Sequence, residues 1–270
     1  MVHSRREFVK LAGLVAGGTA AASALRRTAR AAADKKPVLG LIFPPVGRGA
    51  PEEGLAMYDE EVSFVTTGLG LKTMTPDGYD AVIGRIGPAA VELAGKGAQA
   101  IVLMGTSLSF YKGAAFNRRL TDTMKQASGL PCVTMSTGII EGLKAVGAHR
   151  VAAATAYADE VNHRLQAFLE EEGFEVLTVQ GLGLEKVEDV DAVTQPQLIE
   201  FGTKVFKSAA GADSLLVSCG GLRTLEILAP LEERCKVPAV SSTPHALWAG
   251  VRLLGLSGRA PGYGSLLAKG

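Results

Sequence analysis

Cysteine and histidine are scarce in this sequence, which has 3 cysteines and 4 histidines in 270 residues. The cysteines, Cys132, Cys219 and Cys235, are odd in number and irregularly spaced, so they do not form a disulfide framework. No C-x-x-C, H-x-x-x-H or H-E-x-x-H motif occurs. The sequence therefore predicts reduced thiols and no metal site.

Aromatic residues and net charge are low as well. Aromatic side chains make up 6% of the chain, and the formal net charge is +1. A balance this close to zero gives no electrostatic case for binding nucleic acid. Hydrophobic residues reach 47% and there are 33 glycines, a composition that suits a large core of closely packed helices and sheets.

No apolar run near the N-terminus approaches the roughly 20 residues that a membrane-spanning helix needs. Arg5 and Arg6 instead precede a weakly apolar stretch at 11–25, and small residues around Ala31 and Ala33 offer a cleavage site. We interpret residues 1–33 as a twin-arginine signal peptide, which implies the Tat export machinery as a partner of the precursor and a periplasmic location. The first 33 residues hold six Lys/Arg and one Glu, so the mature chain keeps 22 basic and 26 acidic residues and is mildly acidic.

Beyond residue 33, short apolar runs alternate with longer helical patterns, which predicts an α/β fold with parallel sheets flanked by helices. The predicted strands are 38–43, 100–104, 131–135, 150–154, 176–179, 214–217 and 237–241. The predicted helices are 78–96, 114–128, 138–146, 158–173, 194–210, 224–235 and 244–254.

Two strand ends look alike and suggest two pseudo-symmetric domains. Gly105-Thr106-Ser107 and Ser218-Cys219-Gly220 follow strands at corresponding positions of a βα unit. We therefore predict a first domain of residues 34–147 with 241–270, and a second domain of residues 148–240. Ligands of open α/β sheets bind beyond the carboxyl ends of strands, so the active site is expected in the cleft between the two domains.

Cys219 stands at the most informative of these strand ends. An apolar strand leads to it, Gly220 and Gly221 form a turn, and an amphipathic segment follows. Backbone N–H groups and a helix dipole at such a place are expected to lower the pKa of the thiol and stabilise its thiolate. The alternative is a small core cysteine that only packs, and helix capping is the simpler explanation for Ser136 and Thr137.

Several motifs together resemble the arylmalonate decarboxylases of the aspartate/glutamate racemase superfamily over essentially the whole mature chain. The most specific are Met104 to Tyr111 and Ser218 to Leu222. The others are Phe43-Pro44-Pro45, Gly68 to Leu71, Thr75 to Asp80, Ala154 to Tyr157 and Pro261 to Gly264. The resemblance implies two pseudo-symmetric α/β domains, no cofactor, and a small dicarboxylate as substrate.

The resemblance also implies roles for individual residues. Racemases of the superfamily use two opposed cysteines, but the first position is Gly105 here, so only Cys219 remains to deliver a proton to one face. That fits decarboxylation of an aryl- or alkenyl-substituted malonate, in which loss of CO2 forms the carbanion and the thiol must start protonated. The remaining implied residues bind the enediolate oxygens (Thr106, Ser107, Tyr157, Gly220) or the substrate (Gly105, Gly221, Pro44, Leu71, Met74, Val187, Val190).

Two alternatives remain open at this stage. One is an isomerase or racemase of the same superfamily, such as a maleate isomerase, against which the absence of a thiol at Gly105 argues. The other is an exported dicarboxylate-binding protein, which would have no need of Cys219. The export signal, Met74, Val190 and His245 depart from the family pattern, and His245 is expected at the surface or behind the site rather than as a catalytic base.

Overall fold

The computed structural model describes residues 35–46 and 49–270, and residues 37–270 form one compact unit. The predicted signal peptide lies outside the described residues. Eight strands are present in the described part: β1 Val38–Phe43, β2 Ser63–Gly68, β3 Ala100–Leu103, β4 Cys132–Thr134, β5 Arg150–Thr155, β6 Glu175–Gly181, β7 Ser214–Ser218 and β8 Ala239–Ser241.

Eleven helices connect these strands within the described residues. They are α1 Glu52–Tyr58, α2 Pro76–Ile83, α3 Ile86–Gly95, α4 Thr106–Phe110, α5 Gly113–Ser128, α6 Met135–Ala145, α7 Asp159–Glu171, α8 Val187–Asp191, α9 Gln195–Ser208, α10 Leu228–Cys235 and α11 Ser242–Leu253. None of the helices described is long and apolar enough to cross a membrane.

The strands form two parallel four-stranded sheets with the same order, β2-β1-β3-β4 and β6-β5-β7-β8. The inner strands β1, β3, β5 and β7 are buried along nearly their whole length and have apolar centres, as is usual for parallel sheets covered by helices on both faces. Because the two sheets have the same strand order, β3 of the first sheet corresponds to β7 of the second. The two strands also lead to corresponding residues, Gly105 and Cys219. The predicted α/β class with two pseudo-symmetric halves is confirmed.

The halves are joined by more than the connecting chain. Helix α11 follows β8 of the second sheet but packs on α6, β3 and β4 of the first half. Gly250 allows this approach, because a side chain there would overlap Val102 of β3. The rings of Phe110 and Phe168 stack across the halves with centroids 6.0 Å apart. The proposed domain boundaries remain a prediction.

Two predicted helices differ from the structure for one common reason, a proline. The segment 78–96 is two helices, broken at Gly84 and Arg85, and the segment predicted as a helix from residue 224 becomes helical only at Leu228. Proline has no N–H, and its ring clashes with the carbonyl four residues earlier. Pro88 therefore interrupts a continuous helix at Gly84, and Pro230 limits how early α10 can begin.

Four short elements, β2, α1, α4 and α8, are absent from the sequence prediction. Strand β2 is an edge strand whose residues are only half-buried, so it lacks the apolar run that marks the inner strands. Helix α6 also begins earlier than expected. Its N-cap is Thr134, whose hydroxyl accepts the Thr137 N–H at 3.1 Å, so the assignment of Ser136 and Thr137 as caps is wrong.

Candidate active site

The equivalent ends of β3 and β7 face one small cavity of about 90 Å³. Gly105, Thr106 and Ser107 follow β3 and line it from the first half. Cys219, Gly220 and Gly221 follow β7 and line it from the second. The lining is predominantly apolar, and the remaining residues are Phe43, Pro44, Pro45, Leu71, Met74, Met104, Leu108 and Val190. Most of the sequence-predicted site residues therefore meet at one place.

The Cys219 side chain is 3% exposed, and burial raises the pKa of its thiol to about 11. Hydrogen bonding from the backbone of Gly221 and Leu222 and from the Tyr157 hydroxyl opposes this shift, and the charge of Asp191 adds to it. The expectation of a lowered pKa is thus wrong. The helix predicted directly after the turn does not begin there, since α10 starts at Leu228, and loss of hydration outweighs the few N–H groups of the turn. The thiol is protonated at neutral pH.

Two hydroxyl groups assigned from the sequence lie deep in the molecule near this thiol. Thr106 Oγ1 lies 3.0 Å from Ser242 Oγ and 2.7 Å from Met135 Sδ, so its single proton has two acceptors. The Tyr157 hydroxyl lies 3.3 Å from Ser218 Oγ, and burial raises its pKa well above the usual value. Both groups are neutral donors at physiological pH, which is the state needed to bind carboxylate or enediolate oxygens.

The apolar wall is assembled from loops of both halves. Leu71 donates its N–H to the carbonyl of Pro44 at 2.7 Å, which fixes these two lining residues against each other. The N–H of Met74 donates to Glu185 at 3.1 Å, and Thr73 pairs with Lys186, so the segment before α8 is attached to the first half. Val190 of α8 is 2% exposed and lines the cavity. The side chain of Val187 lies outside what the structure describes.

Sequence reasoning assigned no role to two further residues at this site. Ser242 accepts the Cys219 N–H at 3.0 Å and contacts Thr106, so it connects the thiol-bearing segment with the first half. Tyr79 of α2 is fully buried, and burial raises the pKa of its hydroxyl, while a hydrogen bond with Ser107 lowers it and the charge of the Cys219 thiolate raises it. The signal for Ser242 was its place after a strand end, the same signal that indicated Cys219.

The other residues with reactive side chains lie away from the cavity. Cys132 and Cys235 are buried elsewhere, and Cys132 Sγ donates to the carbonyl of Leu130 at 3.3 Å. His245 is 1% exposed and is not among the residues that line the cavity, so of the two expected positions the surface is excluded, and burial lowers its pKa to about 4. Its ring packs against Gly142 of α6. Within 35–46 and 49–270, no group of three or more His, Cys, Asp or Glu side chains is placed to hold a metal ion.

A wider chamber of about 420 Å³ adjoins the small cavity and shares Phe43, Val190, Gly220 and Gly221 with it. Its wall is more polar than that of the small cavity. Among the residues that the structure describes, the charged ones on this wall are Glu52, Glu53, Asp191 and Arg223. Taken together, a buried and protonated thiol, hydroxyl donors and an apolar recess can bind a carboxylate, release a neutral fragment and deliver one proton.

The sequence matches the family described as arylmalonate decarboxylase over residues 39–267. The arylmalonate decarboxylase of Bordetella bronchiseptica is 47% identical over 231 residues, which cover 85% of this chain and 96% of that protein. A maleate isomerase of Nocardia farcinica is 25% identical over 239 residues, which cover 85% of this chain and 94% of that protein.

Solved structures agree with these relatives. A liganded arylmalonate decarboxylase variant, with one glycine replaced by cysteine and one cysteine by serine, superposes with a TM-score of 0.84 at 45% identity, covering 87% of this chain and 100% of that one. A Nocardia farcinica maleate cis-trans isomerase variant with a covalently bound succinylcysteine intermediate gives a TM-score of 0.81 at 22% identity, covering 87% and 100%. At that identity the second likeness shows a shared fold.

Proposed function

This chain belongs to the arylmalonate decarboxylase family and is a carboxy-lyase acting on arylmalonates, and from this premise we propose how its residues carry out the reaction. The substrate is a malonate carrying an aryl or alkenyl group. One carboxylate leaves as CO2, the other becomes part of an enediolate, and Cys219 protonates the enediolate from one side. The observation that carries this proposal is a protonated thiol at an apolar cavity that Thr106 and Ser107 also line.

The retained carboxylate binds at the hydroxyl groups of Thr106, Ser107 and Tyr157, with the Gly220 N–H completing the set. Negative charge grows on the two oxygens of this carboxylate as the carbon–carbon bond breaks. Donors that are already in place lower the barrier, and a single strong one is worth roughly 3–4 kcal/mol. Binding of substrate gives the Thr106 proton a better acceptor than the sulfur of Met135, because an ionised acceptor forms the stronger hydrogen bond.

The departing carboxylate lies in the recess formed by Pro44, Leu71, Met74 and Val190. None of the described residues that line this small cavity carries a charge. A charged carboxylate is poorly solvated in this recess, whereas neutral CO2 does not need such solvation. The surroundings therefore favour the step in which the carboxylate loses its charge and leaves as CO2. The wide chamber next to the recess has room for the aryl group, since its volume is about 420 Å³ against about 90 Å³ for the recess.

Protonation of the enediolate completes the reaction and determines which enantiomer forms. The electron pair left by CO2 takes the proton of the Cys219 thiol, which becomes a thiolate, and a proton from water then restores the thiol. Gly105 offers no acid on the other wall, so the proton arrives from one side and the monocarboxylic acid is chiral. The same lack of an opposed thiol disfavours racemase activity.

A CO2-release assay over disubstituted malonates, with purified protein and no added cofactor, tests the proposal. Turnover of an α-methyl-α-phenyl malonate, and its loss on alkylation of Cys219, are the expected results. Binding of dicarboxylates without CO2 release would indicate the ligand-binding alternative. Conversion of maleate to fumarate without CO2 release from any malonate would indicate the isomerase alternative.

We also propose that the precursor is exported through the twin-arginine pathway and acts in the periplasm. Support comes from Arg5 and Arg6 followed by a weakly apolar stretch and small residues near Ala31. This pathway carries folded proteins, which suits a fold completed while its cysteines are reduced.

A further inference from the structure

Glu53 is a buried carboxylate on the wall of the wide chamber, and the reaction described above assigns it no role. It lies in α1, is 7% exposed, and forms no salt bridge with any residue the structure describes. Burial raises its pKa to about 7, and the nearby charge of Glu226 adds to that shift. An ionised carboxyl without an opposite charge is costly to bury, so its neighbours need to compensate for the lost hydration.

The compensation comes from the chain that follows Cys219. Oε1 of Glu53 accepts the N–H of Thr224 at 2.6 Å and the N–H of Leu225 at 2.7 Å. The Thr224 hydroxyl approaches the same oxygen at 3.5 Å. These bonds join α1 of the first half to a segment more than 170 positions later in the sequence, five residues beyond the thiol.

That segment, residues 219–225, needs an anchor because it has no regular secondary structure and begins with two glycines after Cys219. Ser242 holds its first residue through the Cys219 N–H at 3.0 Å. Glu53 holds its last two residues. Between these anchors, the Leu222 N–H donates to the carbonyl of Cys219 at 3.2 Å and closes the turn, and the backbone of Gly221 and Leu222 lowers the pKa of the thiol against the larger effect of burial.

We infer that Glu53 is a positioning residue for proton transfer, because its carboxylate holds the far end of residues 219–225 and so keeps the turn that places the Cys219 sulfur at the cavity. The inference rests on the proposed role of Cys219 as proton donor. Glu53 acts through the backbone rather than through its own charge. The carboxylate whose charge raises the pKa of the thiol is Asp191, and Glu53 is not among the groups that shift it.

Graded substitution of Glu53 tests the inference. Glu53→Gln keeps an oxygen acceptor but loses the charge-assisted bonds, and Glu53→Ala removes the acceptor. We expect kcat for CO2 release to fall roughly threefold in the first variant and tenfold in the second, because one net hydrogen bond is worth about 1 kcal/mol. KM should change less than kcat. Alkylation of Cys219 at fixed pH, followed by mass spectrometry of its peptide, should slow in the same order.

Glu232 provides the matched control. It accepts the Ser265 N–H at 2.8 Å and the Ala239 N–H at 3.1 Å, and it lines neither chamber. Glu232→Gln should lower the melting temperature without changing kcat or the alkylation rate. This pattern separates a loss of positioning from a general loss of stability.

The possible results separate the inference from the proposed function. Absence of CO2 release by the wild-type protein would remove the proposed function itself. An active wild type with a folded Glu53→Gln variant of unchanged kcat and alkylation rate would overturn the role of Glu53 alone. An equal loss of kcat and of alkylation rate in Glu232→Gln would also overturn the role of Glu53. The glutamine variant decides the matter if Glu53→Ala does not fold.

Discussion

A Cβ atom built on Gly105 would lie 2.5 Å from Cγ of Pro44, closer than two non-bonded carbon atoms pack. The backbone itself presents no obstacle, because Gly105 has φ −138° and ψ 96°, an extended conformation open to any residue. A side chain at this position would therefore clash with Pro44, and its Cβ would also lie 3.2 Å from Leu108 Cβ.

Replacing Gly105 with cysteine should add a second thiol facing Cys219 across the cavity. A pair of this kind can remove and return a proton on either face when one member is ionised. We expect Gly105→Cys to exchange the α-proton of an α-aryl propionate in heavy water and to yield a decarboxylation product of lower enantiomeric purity. Proton NMR and chiral chromatography measure the two effects.

The contact with Pro44 predicts that the double variant Gly105→Cys, Pro44→Ala exchanges faster than the single one, because the alanine leaves room for the new side chain. Pro44→Ala alone, with one thiol at the cavity, should show no exchange. A folded double variant that binds the acid but shows neither exchange nor racemisation would contradict the two-sided geometry.

Substitution of Cys219 by serine should remove most decarboxylation while preserving the fold. A hydroxyl has nearly the shape of a thiol but is a far weaker acid, so proton delivery to the enediolate fails. Turnover below roughly 1% of wild type is expected, in line with the usual contribution of a positioned acid. CO2 release measures turnover, and calorimetry with the product acid checks that the site still binds. Near-normal turnover would exclude Cys219 as the proton donor.

The pKa of about 11 for Cys219 predicts how activity depends on pH. The thiol is active when protonated, so the reaction should persist through neutral and moderately alkaline pH and decline only as pH approaches 11. Alkylation has the opposite dependence, because the thiolate is the nucleophile. Its rate should still be rising at the highest pH at which circular dichroism shows an intact fold. A plateau near neutral pH would mean that the thiol ionises much earlier.

Ser242→Ala should impair catalysis and stability together. The change leaves the buried Cys219 N–H without its acceptor, at a cost of about 1–3 kcal/mol, and it frees Thr106 from its contact with Ser242. We expect a lower melting temperature and a roughly tenfold lower kcat. Ser214→Ala is the control, because Ser214 is a fully buried serine at the other end of β7. Equal kcat for both variants would contradict a special role for Ser242.

Replacing Arg5 and Arg6 with lysine should retain the precursor in the cytosol. The twin-arginine pathway depends on this pair, whereas lysine keeps only the charge. Cell fractionation and the mass of the mature N-terminus measure the outcome, with maturation expected near Ala31 or Ala33. Replacement of Arg26 and Arg27 with lysine is the control and should leave export unchanged. Periplasmic protein in the Arg5, Arg6 variant would contradict the assignment.

Much of the fold follows from the sequence because parallel strands buried on both faces carry continuous apolar runs. Strands β1, β3, β5 and β7 were predicted within one or two residues for this reason. Edge strand β2 was missed because its half-buried residues carry no such run. Pro88 and Pro230 signal the split of the helix at Gly84 and the late start of α10. The helical periodicity around these prolines, taken alone, predicts longer helices.

Local sequence indicated which residues meet at the candidate site. Cys219, Gly105 and Thr106 each follow a strand, and parallel strands direct their carboxyl ends to one edge of a sheet, so a shared cleft could be predicted. Tertiary structure alone decided the state of the thiol and the contacts of Glu53 and Ser242 with its segment. A pKa and a buried hydrogen bond depend on how completely water is excluded, and the residues that exclude it come from parts of the chain far away in sequence.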